Sequence, residues 1–261
     1  KPPKEAACDL EGRDFATTHA DMVVTRKSRG AMTLLSTTLL LGLATVSSME
    51  ASFEALAERY GVHTRVKLNA LPGQARGLYV SAPVKAGEPV VAVPFWLCLV
   101  CEAEDEDKSI VSPWDAPHHD ARDTLLARQL LQALADDDAV PPEARSFWKS
   151  WCEMLPRRGS LAHGVTLPPR LFDEMQDGEL ARAAVLQQAR VDALLADVSP
   201  TGAGEDEARA MRQWAVAMCS SRPFSIPLPS GGQLCAFVPF IDMANHDDEP
   251  NCEVQGAEPA S

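Results

Sequence analysis

Strand-forming residues run from Val66 to Val100, residues in helical period run from Asp120 to Ser220, and a strand-forming run returns at Phe237. That order does not build alternating strand–helix units. It predicts an α+β architecture in which a helical block divides two strand-rich pieces. In the first piece, Val66 to Val80 alternates around Pro72-Gly73, a hairpin pattern, and Val90 to Val100 is β-branched and apolar. Ahead of it, Phe53, Leu56, Ala57 and Tyr60 recur at helical spacing, with Gly61 placed to end the helix. Inside the block, Leu125, Leu126, Leu130, Leu131 and Leu134 form one apolar face. Glu143 to Leu155 sets Phe147, Trp148 and Trp151 on one side of a second helix. Leu171 to Val198 reads as one or two helices, and Gly202-Ala203-Gly204 precedes another from Glu205 to Ser220.

The chemistry is concentrated where the strands resume. Phe237 to Ile241 reads as a short buried strand that runs into a polar turn carrying Asp242, Asn245 and His246. A rigid strand end that presents an amide and an imidazole can fix a polar ligand. An Asx-rich turn satisfying its own backbone uses the same residues. The net charge of −13 over 261 residues excludes the basic surface that nucleic-acid binding needs. The acidic runs Glu102 to Asp107 and Asp136 to Asp138 predict solvated loops, with attraction of a basic protein as the second reading. Seven cysteines, an odd number without a scaffold rhythm, predict free thiols in a reducing compartment. Cys98 and Cys101 form a C-x-x-C in an apolar run with no second pair at zinc-ribbon spacing, so a core strand is expected and no metal.

Three stretches in order resemble the SET-domain methyltransferases of the Rubisco large-subunit lysine methyltransferase type. Val238-Pro239, Asp242-Met243, Asn245-His246 and Asn251-Cys252 match "V-P-x-x-D-M-x-N-H" followed by "N-C". Trp214 to Phe224 is similar to the family helix that closes with "S-R-x-F", and Arg76 to Pro94 to its first hairpin. Ser146-Phe147-Trp148 with Leu155-Pro156 matches a motif of the family's helical insert. The resemblance implies a SET domain of small β-sheets over residues 51–261, with a helical insert at about 110–212.

It also implies methyl transfer from S-adenosyl-L-methionine to a lysine of a protein substrate. Separately, a monomer is expected, without stable membrane insertion, because the apolar run from Leu34 to Val46 is too short to span a bilayer. By that likeness, Arg222 would pair with the cofactor's carboxylate, Asn245 and His246 would hold its amino-acid and adenine ends, and Arg76, Gly77 and Leu78 would approach it through backbone. Main-chain carbonyls of Ser221, Arg222 and Asp242 would face the incoming amine, which makes Ser221 and Asp242 the candidate catalytic positions. Phe224 would line the acceptor channel. A histidine-directed methyltransferase and a SET-like binding module without turnover are the alternatives.

The family's tyrosine, in a segment "E-x-x-x-x-Y-G" after the N-H motif, has no counterpart here, since Tyr60 and Tyr79 are the tyrosines of the chain. The domain is therefore expected to be incomplete at its C-terminal end and to lack the family's helical substrate-binding domain. At the other end, residues 1–50 are expected to be a leader outside the fold. From Met22, basic Arg26, Lys27 and Arg29 precede an apolar run from Leu34 to Val46 and small Ser47 and Ser48, the order of a secretory or plastid signal. Without such an address, a cytoplasmic or nuclear protein is expected.

Overall fold

A computed structural model describes residues 21–26, 52–69, 76–103, 117–198, 203–227 and 233–256. Helix α1 (52–59) buries Phe53, Leu56 and Ala57. It stops because Gly61 takes φ +70, and the amides of Gly61 and Val62 turn back to the carbonyls of Glu58 and Ala57. This is the glycine-closed helix end that the sequence predicts. Strands β2 (His63–Thr64), β3 (Val66–Asn69) and β4 (Gly77–Val80) follow, and β3 pairs with β4 in antiparallel register. The Pro72-Gly73 turn expected between them lies outside the described residues, as do residues 104–107 of the first acidic run and Gly202.

The apolar run Val90 to Val100 is two strands rather than one. Strand β5 (Pro89–Pro94) ends at a proline, a 3-10 turn at Phe95–Leu97 redirects the chain, and β6 (Leu99–Ala103) enters a different sheet. A proline closes a strand because it cannot donate to a ladder. Helices α2 (Pro117–Leu134), α3 (Pro142–Cys152), α4 (Gly178–Leu194) and α5 (Glu205–Ser221) form the insert. Pro142 opens α3, and the Asp177 carboxylate caps α4 by accepting from the amides of Glu179 and Leu180, both at 3.0 Å. Strands β7 (Phe224–Pro227), β8 (Gln233–Phe237) and β9 (Cys252–Gly256) complete the described chain.

The architecture is thus mixed α+β, with three small sheets among the described residues: β2-β5-β1-β9, β3-β4 and β6-β8-β7. Strand β1 (Asp21–Arg26) corrects the sequence reading, which sets residues 1–50 outside the fold. It pairs antiparallel with β5 on one side and β9 on the other, and buries Met22 and Val24. The Arg26 side chain donates to the carbonyl of Val84 in the loop ahead of β5. Residues 27–51, with the rest of the proposed signal, lie outside the described residues. No helix among the described residues is long and apolar enough to cross a membrane.

Candidate functional site

Strand β8 is the middle strand of its sheet, so the position of its end is fixed from both sides. Beyond Phe237 the chain passes through Val238 and Pro239 to Phe240, whose backbone lies at φ 68, ψ −50. Positive φ at a bulky residue is strained and persists only where the surroundings enforce it. Here they do. The Phe240 ring is fully buried, 4.5 Å from Trp151 and 5.0 Å from Phe53 between ring centroids. That reversal throws the chain into a 3-10 turn at Ile241–Met243, closed by the Asp242 amide on the Val238 carbonyl at 2.9 Å. The expected strand end is therefore a strained turn, and it points Asp242 inward.

Helix α5 supplies the opposite wall. Ala215 to Cys219 are buried, and the Trp214 indole donates to the Pro156 carbonyl at 2.9 Å, which fixes the helix axially. Arg222 is its C-terminal cap. Nη1 of Arg222 donates to the Asp242 carboxylate at 2.9 Å and to the Asp242 carbonyl at 3.0 Å. From β4 comes the third wall. Arg76 donates to the Met154 carbonyl at 3.2 Å and to the Met243 sulfur at 3.3 Å. A β-carbon on Gly77 would overlap Asn245 Nδ2 and come within 3.1 Å of its Cγ, so the hairpin backbone lies directly against the Asn245 side chain as it is placed here.

The electrostatics are unusual for an ion pair. Burial pushes the Asp242 carboxyl up to about 7, against the pull of Arg222 and Arg76. Arg76 is lowered, first by its own burial and then by the nearby Arg222 charge. The second carboxylate oxygen, Oδ1, is buried and has no hydrogen-bond partner among the described residues. Among those residues the contacts of Arg222 run through Nη1, which leaves Nη2 for another acceptor. A guanidinium with a spare edge suits a ligand carboxylate, and the amino-acid end of S-adenosyl-L-methionine carries one. The donor set fits that cofactor.

Of the nine candidate residues, Arg76, Gly77, Arg222, Asp242 and Asn245 converge. Leu78 and Phe224 are half-buried against the core. Ser221 is exposed, and its hydroxyl donates to the Ala217 carbonyl at 2.7 Å. His246 is exposed and makes no hydrogen bond among the described residues. Sequence reasoning missed Met243, whose sulfur sits between the two guanidiniums, and Phe240, whose strain sets the turn. Met243 lay in the motif itself, so its position was available. Nothing local to Phe240 signals positive φ. A cavity of about 460 Å³ lined by Arg59, Tyr60, Trp96, Pro142, Glu143 and Ser146 includes none of these site residues.

Three converging walls built from two sheets and a helical insert define the class, an α+β domain with a polar site where hairpin, helix end and turn meet. Over 218 residues the chain is 27% identical to SET domain-containing protein 4 of Mus musculus, a match that covers 77% of this chain and 47% of that protein. The chain spans about half the length of this curated relative. No family model matches. This distant homology supports a SET-domain family.

Proposed function

We propose that the chain binds S-adenosyl-L-methionine between Arg222, the Gly77 hairpin and the Asn245 turn, and that the protein methylates a lysine of another protein. The observation that carries this reading is the convergence of Arg222 and Arg76 on Asp242, with Gly77 closed against Asn245. Homology to a SET-domain protein supports the same reaction class. When bound, the cofactor supplies a sulfonium methyl for in-line displacement by an amine.

Arg222 Nη2 would hold the cofactor's carboxylate, and Asn245 with His246 would hold the rest of it along the turn. The close approach at Gly77 would let the hairpin backbone line that edge of the pocket. Asp242 does two jobs in this reading. Its carboxylate fixes the Arg222 guanidinium, and its main-chain carbonyl keeps a second lone pair, beyond the one Arg222 uses, for the incoming amine. The Ser221 carbonyl belongs to the C-terminal turn of α5, where unpaired carbonyls give the helix its negative end. That end favours a cationic lysine on arrival. Positioning of the two reactants then supplies much of the rate. A lysine amine with a pKa of about 10.4 must lose its proton before attack. Phe224, half-buried beside Arg222, would flank the acceptor.

Calorimetry with S-adenosyl-L-methionine tests the donor half. The chain should bind it, and Gly77→Ala should weaken binding about tenfold or more while leaving the fold intact. Equal affinity in the variant places the ligand elsewhere. For the acceptor half, extract treated with the full-length protein and radiolabelled donor should yield methyl-lysine on acid hydrolysis. Label recovered as methyl-histidine shifts the acceptor. Tight donor binding without transfer makes the protein a binding module.

A further inference from the structure

Strands β6 and β8 place Cys101 directly opposite Cys235. Both are free thiols. The neighbouring Val100 spends its amide and carbonyl on the side-chain amide of Gln129, at 3.1 and 2.8 Å. Val100 therefore faces away from β8, and its neighbour Cys101 turns its backbone towards β8. Cys101 and Cys235 form a hydrogen-bonded antiparallel pair, for which Cα atoms stand about 5.5 Å apart. Disulfides span Cα separations of about 4.4–6.8 Å, so the pair lies within reach without backbone rearrangement.

We propose that Cys101 and Cys235 are a redox modification site, a dithiol that closes reversibly into a cross-strand disulfide. Opposed β-carbons in such a pair stand about 5 Å apart, whereas a relaxed disulfide wants about 3.8 Å. Closure therefore strains the bond, and strained disulfides are the easily reduced, switching kind. The Cys101 thiol donates to the Arg122 carbonyl at 4.0 Å, and the proximity of the two thiols raises Cys101 and lowers Cys235, which favours Cys235 as the nucleophile. Cys152 and Cys219 are pushed the other way by burial, and Cys252 is raised as well. Cys101 is half-buried and gives a small oxidant an approach to the fully buried Cys235.

With a peroxide as oxidant the step balances. The Cys235 thiolate attacks one peroxide oxygen, the O–O bond breaks, and the hydroxide released takes up a proton to leave as water. The Cys101 sulfur then attacks the resulting sulfenic sulfur, the S–O bond breaks, and a second water leaves with the Cys101 proton. Two thiols lose two electrons, and one hydrogen peroxide gains them. Gln129 clamps the outer edge of β6, so the strands form a rigid frame and strain is held in the new bond. Strand β8 leads through Val238, Pro239 and the Phe240 reversal into the Asp242 turn, so the modification falls on the strand from which that turn departs. The inference stands whatever the turn binds.

Hydrogen peroxide treatment of the intact chain, followed by alkylation of remaining thiols and peptide mass spectrometry, tests it. The expected result is a Cys101–Cys235 linked peptide that forms about tenfold faster than Cys152 or Cys219 oxidises and opens again in a glutathione buffer. Cys101→Ala should abolish the link with an unchanged circular dichroism spectrum. Linkage between other cysteines, sulfinic acid at Cys235 without linkage, or no loss of thiols overturns it. The linked peptide is read in the wild-type chain, so a variant that fails to fold leaves the test decisive.

Discussion

Two arginine–aspartate pairs in this chain use the same side chains to opposite ends. Arg128 and Asp197 join α2 to the segment after α4 through two bonds, at 2.6 and 3.0 Å, and the Asp197 side chain is 70% exposed. Hydrogen bonds from Arg128 hold Asp197 below the usual carboxylate range. Arg222 and Asp242 meet at 2.9 Å with the carboxylate fully buried, and burial drives its pKa up to about 7 instead. At the surface, water already solvates the charge, so the partner only tips the balance. In the interior, one guanidinium edge does not replace the lost water, and Oδ1 is left without a donor. The first pair is a staple. The second is a frustrated group, held by strain at Phe240.

The comparison depends on the core that pins the second pair. Phe240→Ala should have the largest effect, about 4 kcal/mol of stability by urea unfolding, because a fully buried ring between Trp151 and Phe53 is lost. A loss below about 1 kcal/mol would mean that the ring does not hold the turn. Next comes Arg222→Ala, at about 3 kcal/mol at pH 8, where Asp242 is ionised and then buried without its partner. The same variant at pH 5 should lose less, since a protonated Asp242 needs no counter-charge. Equal losses at both pH values would show that Asp242 is an ordinary acid.

Local pattern revealed much of the fold and little of what makes the site. Helices α2, α3 and α5 were legible because their burial follows one period, as with Leu126, Leu130 and Leu131. The candidate residues were legible as a motif, and Arg222, Asp242, Gly77 and Asn245 do converge. Strand β1 was not legible. Met22 to Arg26 looks like a basic leader in any local window, and only pairing with β5 and β9, far along the chain, makes it a strand. The inward aim of Asp242 was hidden for a related reason. It follows from the Phe240 reversal, which is enforced by rings from α1 and α3 rather than by its own neighbours in sequence.

Titration sharpens the contrast further. The folded Asp242 value of about 7 lies above the ordinary 3.8, so its neutral form stabilises the fold fully below the ordinary value. That contribution is lost as pH rises through 7, by about 2–3 kcal/mol between pH 5 and 8. His163 carries the opposite sign: burial lowers it, so stability falls as pH drops below its ordinary 6.5. The measurement is therefore the difference between wild type and Asp242→Asn across that window. The gap should change with pH by the amount stated, and a constant gap sinks the assignment.

The smallest effect belongs to the staple. Arg128→Ala removes an exposed ion pair and a donor to the Leu194 carbonyl at the end of α4, bonded at 2.6 Å. Surface pairs contribute about 0–1 kcal/mol, and a cation at a helix C-terminus about 0.3–1 kcal/mol, so the sum should be near 1 kcal/mol. Raising the salt concentration should shrink it, because both partners face water. The Arg222→Ala loss should barely respond to salt, because its carboxylate does not face water. If Arg128→Ala costs as much as Arg222→Ala, or if both respond equally to salt, the two pairs differ in location alone and the buried one has no special claim to a ligand.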